Sequence, residues 1–253
     1  MGVGNRKLAD VMNLSKKELP MILASAILPL TNLQAETVAV PNIYESTPAS
    51  GAGLSIPFSR PGSRWQQIYM QPQFNSVAGD VIEIHELRFR IDEASPIGST
   101  FSTTVPGLNI LFSTTPRTFD SATAVFAENI DRPLFEALPP TNMSFNGSHS
   151  SASSFDVVIP LPNAYQYDRR AGNLLVDIRV PSGSGLPFLD QQIGTGIEAA
   201  SFSIGGLISS PVGTKTTQGL VTQFEYSVVP EPQIIGLIIL GSISLLIKTR
   251  RSE

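Results

Sequence analysis

Leu220-Val-Thr-Gln-Phe-Glu-Tyr-Ser-Val228 alternates without a break: Leu220, Thr222, Phe224, Tyr226 and Val228 occupy one phase, and Val221, Gln223, Glu225 and Ser227 the other. A period of two is the mark of a β-strand with one buried face, because successive side chains leave opposite sides of the pleat. The same period recurs upstream in Leu174, Val176, Ile178 and Val180, with Asp177 and Arg179 in the outward phase. It recurs again in Phe155, Val157 and Ile159, and in Leu108, Ile110 and Phe112. Turn clusters separate these runs, among them Ser95-Pro-Ile-Gly98, Pro181-Ser-Gly-Ser-Gly185 and Ser209-Ser-Pro-Val-Gly213. Nothing between the runs reads as a helix long enough for a parallel crossover, so antiparallel pairing is expected. The expected fold class is all-β: an antiparallel, jelly-roll-like β-sandwich over residues 60–229, with 36–59 as a linker or first strand.

Two local features refine this. Within Val81–Ile91, Ile82 and Ile84 hold one phase while Leu87, Phe89 and Ile91 hold the other. A strand buries both sets only if an extra residue is inserted, which predicts a β-bulge near His85-Glu86. Ser121–Glu128 is predicted to form one short helix capped by Asp120.

Composition narrows the class of function. Residues 1–35 hold four basic and two acidic side chains, whereas residues 36–247 hold ten basic and eighteen acidic ones, a balance of −8 in which Lys215 is the single lysine. Nucleic-acid binding needs clustered Lys and Arg and is excluded as a partner class. Cys 0 excludes disulfides, thiolate metal sites and cysteine nucleophiles. The fold must therefore rest on its core.

The ends carry addresses. Met21–Leu33 is a run of 13 mostly apolar residues behind Lys16 and Lys17, and Leu33-Gln34-Ala35 follows. That is the pattern of a secretory signal, predicting cleavage by signal peptidase after Ala35 and a signal peptide over 1–35. At the other end, Pro230-Glu231-Pro232 precedes 14 uncharged, mostly apolar residues from Ile234 to Ile247, then Lys248, Arg250 and Arg251. As a helix this stretch reaches about 21 Å against about 30 Å of hydrocarbon, a marginal span whose basic end stays on the cytoplasmic side.

The combination of Pro230-Glu231-Pro232, a short transmembrane helix and Arg250-Arg251 resembles the PEP-CTERM sorting signal of exopolysaccharide-producing Gram-negative bacteria. The resemblance implies that residues 230–253 are a processing signal recognised by the membrane protease exosortase. It implies a transient inner-membrane anchor and then release to the cell surface or matrix. The middle is similar to a recurrent group of PEP-CTERM ectodomains without assigned activity, through Arg64-Trp-Gln-Gln-Ile-Tyr69, Leu87-Arg-Phe-Arg90, Phe112-Ser-Thr-Thr115, Phe126-Ala-Glu-Asn129, Phe155-Asp-Val-Val-Ile159 and Gly172-Asn-Leu-Leu-Val-Asp-Ile178.

Chemistry is sparse. His85 and His149 are the two imidazoles, and His149 lies in Asn146-Gly-Ser-His-Ser-Ser151, which reads as a mobile, solvated loop. No Gly-x-Ser-x-Gly elbow, His-Glu-x-x-His helix or phosphate loop is present, so no catalytic residue and no cofactor is assigned. Glu83, His85 and Glu86 could ligate a metal, but they read more simply as a solvated strand face with Arg88 and Arg90 as charge partners. Trp65 reads as core. Tyr165, Tyr167, Asp168 and Arg169 are the candidate glycan contacts, since aromatic faces stack on sugar rings while Asp and Arg bond hydroxyls. The expected function is a non-enzymatic surface or matrix protein associated with exopolysaccharide. The alternative is a secreted carbohydrate-active enzyme using paired carboxylates.

Overall fold

The computed structural model describes residues 35–49, 53–193 and 200–230. The strands, all paired antiparallel, are β1 (Glu36–Val40), β2 (Ser63–Tyr69), β3 (Val81–Phe89), β4 (Thr100–Thr115), β5 (Phe135–Ser148), β6 (Val157–Asp168), β7 (Asn173–Val180), β8 (Gln191–Ile193), β9 (Ser201–Leu207), β10 (Gly213–Thr216), β11 (Gln218–Leu220) and β12 (Thr222–Val228). One sheet runs β1-β12-β3-β6, a second runs β10-β9-β2-β7-β4-β5, and β11 pairs with β8. The two large sheets face one another across the main core, where Tyr69 of one meets Phe224 of the other edge-on at 4.9 Å and Phe112 stacks on Tyr165 at 4.9 Å. Among the described residues, helical segments are 3-10 turns of three or four residues, and no helix is long and apolar enough to cross a membrane.

The period-two run Leu220–Val228 is divided in the fold. Leu220 closes β11, the Val221 amide bonds the Asp190 carbonyl, and β12 carries Phe224 and Tyr226 into the core. The expected bulge is present. Glu225 faces Glu86 and Tyr226 faces Ile84, which leaves His85 as the extra residue, and Ile82, Ile84, Leu87 and Phe89 are all buried. Segment 36–59 supplies β1 as a true edge strand.

Two expectations are corrected. Ser121–Glu128 does not form a helix; Phe126–Asn129 makes a 3-10 turn instead, and Asp120 caps nothing there. The Asn129 side chain takes the main chain of Thr123 and Val125, while Pro211 and Gly213 bond Phe126 and Ala124. Those bonds use the groups a helix would need. Asp177 was expected to face solvent but is fully buried. The loop around 118–130 lies across the outer face of the second sheet and builds a second core there from Ile68, Ala122, Phe126, Leu175, Phe202 and Ile204. Asp177 lies under this cover, accepting from Arg64, Arg179 and the Gln66 carboxamide. The Arg64 guanidinium rests 4.3 Å from the Phe126 ring centroid.

Candidate functional site

β6 ends in Asp168, whose carboxylate accepts from the Arg170 amide and starts the 3-10 turn Arg169–Ala171. Gly172 then reverses the chain at φ +118°, and a Cβ there would lie 2.8 Å from the Thr115 carbonyl oxygen. Only glycine fits that combination. This corner faces the turn Gln71–Phe74 and the Gly79-Asp80 bend, forming an open cleft of about 510 Å³ lined by Gln71, Asn75, Asp80, Arg169, Arg170 and Gly172.

The four candidate glycan contacts divide by role. Tyr167 is buried, its ring edge-on to Phe74 at 5.2 Å and its hydroxyl donating to the Gly172 carbonyl, so it offers no face to a sugar. Tyr165 is half-buried, stacked on Phe112 and 5.5 Å from Phe135. Burial pushes its phenol up to about 12, with Arg132 opposing. Arg169 donates to the carbonyls of Phe74 and Gly79 and stands 3.5 Å from Asp80, fastening the 71–80 segment to the end of β6. Asp168 is held below the ordinary carboxylate range, chiefly by its hydrogen bond from Arg170. Of the four, only Arg169 lines the cleft, and both tyrosines belong to the core side of β6. Gln71, Asn75 and Asp80 of the cleft lining carry no motif in the sequence. Their only local signal is the Gly79-Asp80 turn pair, and Gly79 takes φ +72°. The cleft offers one carboxylate, guanidinium groups and two carboxamides, with Gln71 donating to Asn75 at 3.0 Å. That set can bond hydroxyls through donors and acceptors, without a stacking platform.

The second candidate cluster stays on the surface. His85 shares a hydrogen bond with the Ser227 hydroxyl at 2.8 Å and lies 3.9 Å from Glu83. Glu86 takes Arg88, which also reaches Glu225. Among the described residues no three His, Asp or Glu side chains converge as a metal site.

Arg90 is no partner of that face. It is fully buried, donating to Asp190 and to the Tyr44 carbonyl at 2.8 Å each, with the Phe155 ring centroid 5.0 Å away. His149 likewise departs from expectation. It is fully buried, its Nδ1 2.9 Å from the Ser95 carbonyl oxygen, and its main chain bonds Gly98 and Ser99. The residue closes the mouth of the β4–β5 hairpin, and the loop is tied down by pairing between segments 50 residues apart. Trp65 is core, as its sequence context indicates.

At the two ends, Ala35 is exposed immediately before β1. The Val229 amide bonds the Val81 carbonyl at 3.0 Å, and Pro230 is exposed directly after it. Residues 1–34, over which a signal peptide is expected, and Glu231, Pro232, the apolar stretch Ile234–Ile247, Arg250 and Arg251 lie outside the described residues. Comparison with protein-family models, curated proteins and solved structures finds no match to this chain.

Proposed function

We propose that the chain is exported, processed at a PEP-CTERM signal by exosortase, and released as a non-enzymatic surface or matrix module that associates with exopolysaccharide. The observation that supports this reading is that the described strands lie between the two proposed processing sites, with exposed Ala35 and Pro230 flanking them. β1 begins at Glu36, the residue that follows the proposed signal-peptidase site. Among the described residues, the last main-chain bond of the sandwich is made by Val229, one residue before the Pro230-Glu231-Pro232 motif. Glu36 lies opposite Tyr226 in the β1–β12 pairing, and the Tyr226 hydroxyl donates to its carboxylate at 2.8 Å. Ala35 and Pro230 thus stand exposed beyond the same end of one sheet, so processing beside them requires no unfolding of β1 or β12.

Replacing Pro230, Glu231 and Pro232 together with alanine is expected to leave a membrane-held precursor in a host that has exosortase. The unaltered chain is expected to appear outside with Glu36 first and without Ile234–Glu253. Mass measurement of released and membrane fractions decides this, and release of the triple-alanine variant at the normal mass would sink the reading. The jelly-roll-like connectivity of the sandwich belongs to the same proposal.

The polar cleft supports association over hydrolysis. It is lined by one carboxylate, Asp80, whereas the usual glycosidase mechanisms need two flanking the bond. Gln71→Ala combined with Asn75→Ala removes two side chains that bond one another. This pair is expected to weaken retention on the host exopolysaccharide several-fold while leaving the thermal midpoint within about 2 °C. Affinity electrophoresis against that polysaccharide reads the difference.

A further inference from the structure

The free edges of the two large sheets are treated unequally. β1 is five residues long, and β10 is four residues long and carries Lys215. β6 carries Pro160 and Pro162, which lack amide hydrogens, and Asp168. The first half of β5 is broken by Pro139 and Pro140, and the Asn163 carboxamide covers the Glu136 carbonyl. Short length, charge and proline are the usual devices that stop edges from pairing with other chains. None of them is applied to the second half of β5.

Thr141-Asn-Met-Ser-Phe-Asn-Gly-Ser148 contains no proline and no charge. Among the described residues its main chain pairs only with β4, and β4 in turn pairs with β7 only from Asn109 onward. Thr100–Val105 and Met143–Ser148 therefore project as a two-stranded ribbon beyond the sheet. Its outward face is set by cross-strand contacts of Ser102 with Asn146 at 2.6 Å and Thr104 with Ser144 at 3.1 Å. Its other face carries Phe101, Met143 and Phe145, packed on the main core. Residues 94–116 and 137–155 hold no Asp, Glu, Lys or Arg at all, in a chain whose 36–247 span has a balance of −8. The repulsion that keeps acidic molecules apart is weakest at this ribbon.

We propose that the Thr141–Ser148 edge pairs antiparallel with the same edge of a second copy, across a two-fold axis, joining two six-stranded sheets into one. An isologous edge contact is self-complementary by symmetry. A register centred on Ser144 keeps both faces in phase: Asn142 of each copy meets Asn146 of the other among the outward side chains, and Met143 meets Phe145 on the inner side. Eight residues span about 27 Å. The contact is smaller than the roughly 800 Å² per partner of a standard stable interface, so the pairing is weak and depends on concentration, which a crowded matrix supplies. Its biological use rests on the matrix reading above. The pairing itself does not, because it is measured on the purified chain.

The absence of cysteine makes the test direct. In the full chain in mild non-ionic detergent, Ser144→Cys introduces the only thiol and sets it against its own copy at disulfide range. Under mild oxidation this variant is expected to give a covalent dimer at least ten times faster than Ser153→Cys, which places a thiol on an exposed loop. Sedimentation equilibrium of the unaltered chain should show the mass rising toward that of a dimer with concentration. Ser144→Lys with Asn146→Lys should abolish that rise while the near-ultraviolet circular dichroism stays unchanged. Equal cross-linking of the two cysteine variants, a monomer at every concentration, or dimers that persist in a folded double-lysine variant would each overturn the proposal. So would retention of polysaccharide by this ribbon without self-association. If the double-lysine variant fails to fold, the cysteine pair decides alone.

Discussion

Replacing Arg90 with alanine is expected to cost the fold about 3–5 kcal/mol, the range for removing one member of a buried ion pair. Arg90 and Asp190 are both essentially without solvent contact. Arg90 reaches Asp190 through Nε and Nη2, and Tyr44 through Nη1. Asp190 also accepts from the Ala49 amide at 3.1 Å. Truncation leaves the Asp190 carboxylate, with buried Asp92 near it, without a cation and opens a void beneath Phe155. The deficit should depend on pH. Burial already pushes the Asp190 carboxyl up from its ordinary value, with Arg90 among the groups opposing the shift. An acid whose folded pKa is raised binds its proton more tightly folded than unfolded. Its favourable contribution is complete below the unfolded pKa and is lost as pH rises through the folded one. Removing Arg90 raises the folded value further, so Arg90→Ala should lose more stability at neutral than at acid pH. Urea denaturation at a series of pH values checks both the size and the slope. A loss that is flat with pH would mean that Asp190 does not carry the penalty. Arg90→Met together with Asp190→Leu should recover a large part of it, because the buried charges leave together.

The second large effect is expected at Gln67, which stands in for a stretch of strand. Its carboxamide donates to the Leu220 carbonyl at 2.8 Å and accepts from the Leu220 amide at 2.9 Å, as a neighbouring peptide would. Its oxygen also accepts from the Trp65 indole at 3.2 Å. The whole side chain is buried between β2 and β11. Gln67→Ala orphans two buried donors, the Leu220 amide and the Trp65 indole, at about 1–3 kcal/mol each before relaxation, while the Leu220 carbonyl keeps the Thr222 hydroxyl at 3.1 Å, so a net loss of about 2–4 kcal/mol is expected. Gln67→Met keeps most of the volume without the bonds and isolates the hydrogen-bonding share, which should be more than half of the total. Chemical denaturation of the three chains gives these numbers directly. If Gln67→Met equals the unaltered protein, the carboxamide serves packing alone.

The positions of these two side chains mark the boundary of what is local. Gln67 sits on β2 in phase with Trp65 and Tyr69 and is fully buried. Its partner lies 153 residues away and is invisible to any window on the sequence. Arg90 continues the alternation of Leu87 and Phe89 as an outward residue, and so it does leave the main core. The segments holding Tyr44, Ala49 and Phe155 cover it all the same. Tyr167 shows the converse. Its place beside Asp168 and Arg169 resembles a sugar platform, yet its phase on β6 matches Tyr165, and both rings turn toward the core.

By itself the sequence determined the antiparallel all-β class, the strand character of 82–89, 108–112, 157–159, 174–180 and 222–228, and the bulge at His85. Each is written in the phase and spacing of consecutive side chains, which the pleat converts into inside and outside. Only the tertiary structure decided which outward residues see water. The cover over Asp177, the burial of Arg90 and His149, the loss of a helix at Ser121–Glu128 and the cleft between 71–80 and 168–172 all arise where distant segments meet. There the hydrogen bonds and apolar contacts supplied by a remote partner outweigh local preference, and no local pattern encodes that partner.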